Sequence, residues 1–156
     1  MELKSLFSFL LLAFVQACHT NNSDNHVNIP FTNNTDETVV TTALTESEGY
    51  SVNWMLKAWI HNPNLATHPH HTNDWAISER YPSTFEGYFE YDCDTLYVYI
   101  FKQIDLELAN NAQITSFKYI VYKCTLDNLT DNDWRIIYPD MSEDYHYVER
   151  TYDGPI

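Results

Sequence analysis

The sequence predicts a mainly β fold, an antiparallel β-sandwich with one or two short helical turns, on three observations. Apolar residues recur with period two over most of the chain after residue 26, the spacing that buries one face of a strand. Short candidate strands are separated by Asn, Asp and Pro turns, which suits antiparallel pairing better than βαβ units. Helical patterning is confined to two brief stretches. An immunoglobulin-like arrangement is one form this architecture can take. The chain has 156 residues, 44% of them apolar, enough for one core and one domain.

Taken in order, Val27 to Phe31 and Thr38 to Leu44 are the first short strands. Val52, Trp54, Leu56, Ala58 and Ile60 share one face of a strand over 52–61, opposite Asn53, Lys57 and His61. Phe85, Gly87, Phe89 and Tyr91 alternate with Glu86, Tyr88 and Glu90, which predicts another strand. Leu96 to Phe101 is apolar on both faces, the mark of a central strand covered on each side. Phe117 to Leu126, rich in aromatic and β-branched residues, and Trp134 to Tyr138 complete the set. Asp105 to Ala112 is expected to form two helical turns, and Thr125, placed before Asp127, caps one short turn. The folded domain is therefore expected over 27–139. Residues 140–156, with Tyr145, Tyr147 and Tyr152 but no period, form a C-terminal tail that is loosely ordered or lies along the sheet.

Charge and composition remove several function classes. Eight Lys and Arg against 22 Asp and Glu leave a formal charge of −14, so the chain repels phosphate backbones and has few cations with which to release counterions. Nucleic acid is not an expected partner. Gly49, Gly87 and Gly154 are the only glycines and lie far apart, so no glycine-rich loop can cradle a phosphate or dinucleotide. No Ser lies in a Gly-x-Ser-x-Gly elbow or a Ser-x-x-Lys pair. The expectation is a protein that is not an enzyme and needs no cofactor.

The first 17 residues read as a signal peptide: Lys4, an apolar run from Leu6 to Val15, and small Ala17 before Cys18. Ten residues cover about 15 Å, half of a hydrocarbon core of roughly 30 Å, so the run suits cleavage rather than spanning. Val15-Gln16-Ala17-Cys18 resembles the lipobox of bacterial lipoproteins, although Gln16 is larger than the residue usual there. In that family the Cys thiol is alkylated by diacylglycerol and becomes the new N-terminus. The resemblance implies a membrane anchor at Cys18, with residues 18–26 as a flexible polar spacer. Two or more acyl chains, at about 0.8 kcal/mol per buried methylene, anchor stably. No Asp directly follows Cys18, which favours the outer membrane of a bacterial cell envelope. The alternative is an ordinary secretory peptide that leaves Cys18 unmodified.

A second resemblance covers residues 89 to 139. Phe89-Glu90, Asp94 to Phe101, Tyr119-Ile120-Val121-Tyr122, Leu126-Asp127-Asn128-Leu129 and Asp133 to Pro139 are similar in order to a group of small lipoproteins from Bacteroides-like bacteria. That group has no assigned activity, so the likeness implies compartment and anchoring rather than chemistry. Residues 45 to 85, which hold most of the histidines and tryptophans, depart from its pattern.

Candidate sites follow from residue types. Cys93 and Cys124 are an even pair in an exported chain, either bridged or both buried as thiols. His61, His68, His70, His71 and Asp74 offer metal-ligating side chains, yet Pro63 and Pro69 break any helix that would align them. An exposed polar loop is the simpler expectation, and a proton-sensing cluster is a third. Trp54, Trp59 and Trp75 could stack on sugar rings or simply fill the core. Asp92 with Asp94, Asp131 with Asp133 and Glu143 with Asp144 suit solvated turns better than a pair of catalytic carboxylates. Asp127 to Asp133 lacks the turn Gly and terminal Glu of an EF-hand loop. Asp94-Thr95-Leu96 resembles an O-glycosylation site of Bacteroides-like exported proteins, and it equally opens a strand. Together these features predict a lipid-anchored, non-catalytic interaction or structural module. A glycan-binding accessory module and a divalent-metal binder are the alternatives.

Overall fold

A computed structural model describes residues 26–44, 56, 65–76, 84–91 and 94–154. Their elements, in chain order, are β1 (Asn28–Asn33), β2 (Val39–Leu44), β3 (Ala66–Thr67), β4 (His71–Ala76), α1 (Phe85–Tyr91), β5 (Leu96–Lys102), α2 (Gln103–Asn110), β6 (Ser116–Cys124), α3 (Leu126–Asp131), β7 (Ile136–Tyr138) and β8 (Val148–Asp153). The fold is mainly β, as expected. A five-stranded sheet has the order β3-β2-β5-β6-β8 and is antiparallel throughout; a three-stranded sheet has the order β4-β1-β7. The two form a sandwich.

Alternation explains why the sheets stack. Leu96, Val98 and Ile100 of β5, with Tyr122 and Cys124 of β6, point one way and pack with Ile29 and Phe31 of β1 and Ile136 of β7. The opposite face of the large sheet carries Val40, Tyr99, Phe101, Phe117, Tyr119 and Val121, covered by Leu106 and Ala109 of α2 and by Leu56. β5 is thus buried on both faces at the centre of its sheet, the position its uninterrupted apolar run predicts. Each fully buried aliphatic or aromatic side chain of this kind contributes about 1.5–3 kcal/mol of transfer free energy.

Four expectations are corrected or extended. Residues 85–91 form helix α1, not a strand. Phe85 and Phe89 are four apart and pack on one core, a pairing that a helix and a strand both satisfy. The ends decide it: Thr84 Oγ1 accepts from Gly87 N at 3.2 Å, and Phe85 N donates to the His26 carbonyl at 2.8 Å. The strand expected over 52–61 lies outside the described residues except at Leu56, which is helical and buried. β7 is shorter than Trp134 to Tyr138 because Asp133 and Trp134 adopt φ of 52° and 54° in the turn after α3, and it runs parallel to β1 rather than antiparallel. Finally, residues 140–154 are integral to the domain: β8 pairs with β6, and Tyr145 is fully buried with its hydroxyl donating to the Arg135 carbonyl at 2.6 Å.

The other two helices, α2 and α3, follow their sequence signals. α2 sits between β5 and β6, where Leu106, Leu108 and Ala109 predict it. α3 begins in a capping box in which Thr125 Oγ1 accepts from Asn128 N at 3.2 Å and Asn128 Oδ1 accepts from Thr125 N at 3.3 Å.

Candidate functional site

A recess lined by described residues lies where the large sheet divides. The β5–β6 ladder runs from Leu96↔Cys124 to Ile100↔Ile120 and stops, although β5 continues to Lys102 and β6 begins at Ser116. Beyond that point β5 stays paired with β2 as far as Val39↔Lys102, and β6 with β8 as far as Ser116↔Asp153. The sheet therefore separates into two arms. Were the register to continue, Lys102 would stand opposite Lys118, and like charges directly opposite destabilise a pair. Each lysine instead has an acid on its own arm: Lys102 Nζ lies 2.7 Å from Glu37 Oε2, and Lys118 Nζ lies 2.6 Å from Glu149 Oε1. The turn into α2 holds the first arm in place through Gln103 N donating to the Thr38 carbonyl at 3.0 Å.

Between the arms is a cleft of about 560 Å³, within the 300–1,000 Å³ typical of small-molecule sites. Ile100, Phe101, Phe117 and Ile120 form its floor, and Leu108 and Ile114 extend the apolar lining. Phe101 is wedged against Tyr119 with ring centroids 5.1 Å apart and against Phe117 at 6.4 Å. Charges of both signs stand around this apolar surface: Lys102 and Lys118, with Asp105 and Glu149. The hydrogen bond to Glu37 raises the Lys102 pKa above its ordinary value, with Asp105 adding to the effect. Its ammonium is accordingly secure at neutral pH. Burial likewise pushes the Tyr138 phenol up despite the nearby Lys102, so Tyr138 presents a neutral hydroxyl-bearing ring to the cleft.

Of the residues singled out from sequence, the described ones, Cys124, His68, His70, His71 and Asp74, do not line this cleft. Cys18, His61, Trp54, Trp59 and Cys93 lie outside the described residues, as does the side chain of Trp75, whose backbone belongs to β4. Cys124 is a free thiol buried between the sheets, and burial alone raises its pKa. Cys93 lies outside the described residues, so a bridge between the two stays a proposal, and a mass difference of two protons between native and reduced chain would establish it.

His68, His70 and His71 occupy the corner between β3 and β4, where the chain crosses from the large sheet to the small one. His70, at φ 56°, places Nε2 3.1 Å from Asp36 Oδ1 on the surface. His71 Nδ1 donates to the Pro69 carbonyl at 2.7 Å, and the His68 and His71 rings meet edge-on at 6.2 Å. Asp74 faces solvent on β4, in register with Pro30. Among the described residues, no three or more His, Cys, Asp or Glu side chains are grouped to hold a metal ion. The corner is instead stitched by two asparagines. Buried Asn33 donates to the carbonyls of Glu37, Thr67 and His68 at 2.7, 3.0 and 3.2 Å, and Asn73 donates to the Ala66 carbonyl and Thr67 Oγ1 at 2.8 and 3.1 Å.

Two features escaped sequence reasoning. The cleft residues were invisible because they come from five separated stretches of the chain, although two of only eight basic residues near strand ends are a signal that could have been weighed. The other is the fastening where the expected spacer meets the domain. His26 stacks on Trp134 with centroids 4.1 Å apart and planes 9° from parallel, and its Nδ1 lies 2.6 Å from Glu86 Oε1. Its backbone N–H also reaches both Glu86 oxygens, at 3.1 and 3.0 Å. No family model, curated protein or solved structure matches this chain.

Proposed function

We propose that this protein is a non-catalytic binding module, lipid-anchored at Cys18 to the bacterial cell envelope and directed to the outer membrane, that acts through the cleft between the two arms of its large sheet. The observation that carries the binding role is the cleft itself: an apolar floor of ligand-sized volume whose lysines are held by ion pairs with Glu37 and Glu149. Lys102, whose pKa Glu37 raises, suits recognition better than proton transfer, which calls for a group poised to change its charge. Support for the anchor comes from the resemblance of Val15 to Cys18 to a lipobox and from the likeness of residues 89 to 139 to small lipoproteins of Bacteroides-like bacteria. The clasp of His26 by Glu86 and Trp134 suits a tether that ends where the domain begins.

Labelling bacteria that express the chain with radioactive palmitate tests the anchor. Label on the wild-type protein and none on Cys18→Ala is the expected result; equal labelling of both, or of neither, refutes acylation at this residue.

A further inference from the structure

We infer that the cleft takes a zwitterion with an apolar body, the chemistry of a short unblocked apolar peptide; this rests on the binding role proposed above. The charges around the apolar floor decide the class. A simple anion would meet Asp105 and Glu149 and the field of a chain carrying −14. A simple cation would meet Lys102 and Lys118. A neutral apolar molecule would cover the floor but draw nothing from the charges at the rim, where Lys118 and Glu149 are 69% and 51% exposed. Only a ligand bearing both signs covers the floor while offering a carboxylate to a lysine and an ammonium to Asp105 or Glu149. Lys102 and Asp105 lie on one arm and its continuation into α2, Lys118 and Glu149 on the other, so a ligand whose carboxylate and ammonium engage both arms must be longer than one charged group. The volume of about 560 Å³ leaves room for several apolar side chains against Phe117, Leu108 and Ile114, which favours a peptide over a single amino acid.

The test titrates the detergent-solubilised full chain with unblocked Leu-Val-Leu, its N-acetylated and C-amidated form, free leucine, and octanoate, following backbone amide resonances. Saturable shifts at Phe101, Lys102, Lys118 and Ile120 with the unblocked tripeptide are expected. The blocked peptide, which lacks both charges, octanoate, which lacks the ammonium, and free leucine, which keeps both charges but covers little of the apolar floor, should each bind at least about tenfold more weakly. Lys118→Met and Asp105→Asn, both substitutions at the cleft mouth, should each weaken the tripeptide by about the same factor without changing the far-UV spectrum. Equal or tighter binding of octanoate, the blocked peptide or leucine at these resonances overturns the zwitterionic peptide and leaves the binding role standing. Saturation at other resonances overturns the assignment of the site. If none of the four probes moves the cleft resonances, the peptide and the binding role fall together.

Discussion

At the scale of single residues, burial of ionisable side chains ties stability to pH. Cys124, with an ordinary thiol value of 9.0, and Tyr122 and Tyr145, with an ordinary phenol value of 10.0, are all raised by desolvation, and Tyr138 moves the same way. In the unfolded chain these groups lose protons at their ordinary values, whereas in the folded chain they keep them. The unfolded state thus binds fewer protons once pH exceeds about 9, and stability, complete below that point, falls as pH rises. The slope should approach 1.4 kcal/mol per pH unit while one group is responsible and steepen above about pH 10 as the tyrosines join. Denaturant titrations from pH 7 to 11 should show this fall, and Cys124→Ala should move its onset toward pH 10. A chain in which Cys124 is bridged to Cys93 would lack the first part of the fall, so the same experiment reports on the disulfide. Stability that stays level to pH 11 would contradict the burial of all four groups.

At the scale of elements, the segments whose pattern admits one solution are the ones the sequence predicts correctly. β5, β6 and α2 each show a period or an apolar run that no other element fits at that length, and all three are present within two residues or so of their expected bounds. Phe85-Glu86-Gly87-Tyr88-Phe89 admits both a strand and a helix, and only the bonds to Thr84 and His26 select the helix. The His-rich stretch shows a different kind of ambiguity. Its side chains suggest ligands, yet the corner they occupy is held by amides. Asn33 is completely buried and serves three carbonyls, while its Oδ1 accepts from Thr35 N and Thr35 Oγ1 at 3.1 and 2.7 Å. Asn33→Ala should therefore cost about 3 kcal/mol, because it strands the buried Thr67 carbonyl and leaves two half-buried carbonyls without this donor, rather than merely deleting one bond. A drop in the urea midpoint, with amide shifts concentrated at Thr67 to His71, is the expected signature; a loss under about 0.5 kcal/mol would mean the corner is held by something else.

For the whole molecule, the important observation is that the last residues complete the core. Tyr145 and Met141 lie among the residues between the sheets, Tyr122 stacks on Tyr145 with centroids 5.8 Å apart, and β8 pairs with β6 over six residue positions. A chain ending at Pro139 loses all of this. Removing one large buried aromatic already costs about 3–5 kcal/mol, a large part of the 5–15 kcal/mol that holds a domain folded. The truncated chain should show no cooperative thermal transition by near-ultraviolet circular dichroism. A sharp transition near that of the full chain would return residues 140–156 to the status of a tail.

The sequence by itself determined the mainly β class, the central position of Leu96 to Phe101 and the Thr125 cap of α3, because periodicity, apolar runs and side-chain to backbone bonds act over neighbouring residues. Its first 18 residues carry the expectation of export and anchoring for the same local reason. Tertiary structure alone decided that Phe85 to Tyr91 coils, that β7 lies parallel to β1, and that Tyr145 closes the core. It also decided that Lys102 and Lys118 face one cleft from opposite arms, with partners more than thirty residues away in sequence. Such pairings depend on which strands become neighbours and where their ladder stops, and long-range register is written in the sum of many contacts rather than in any short run of residues.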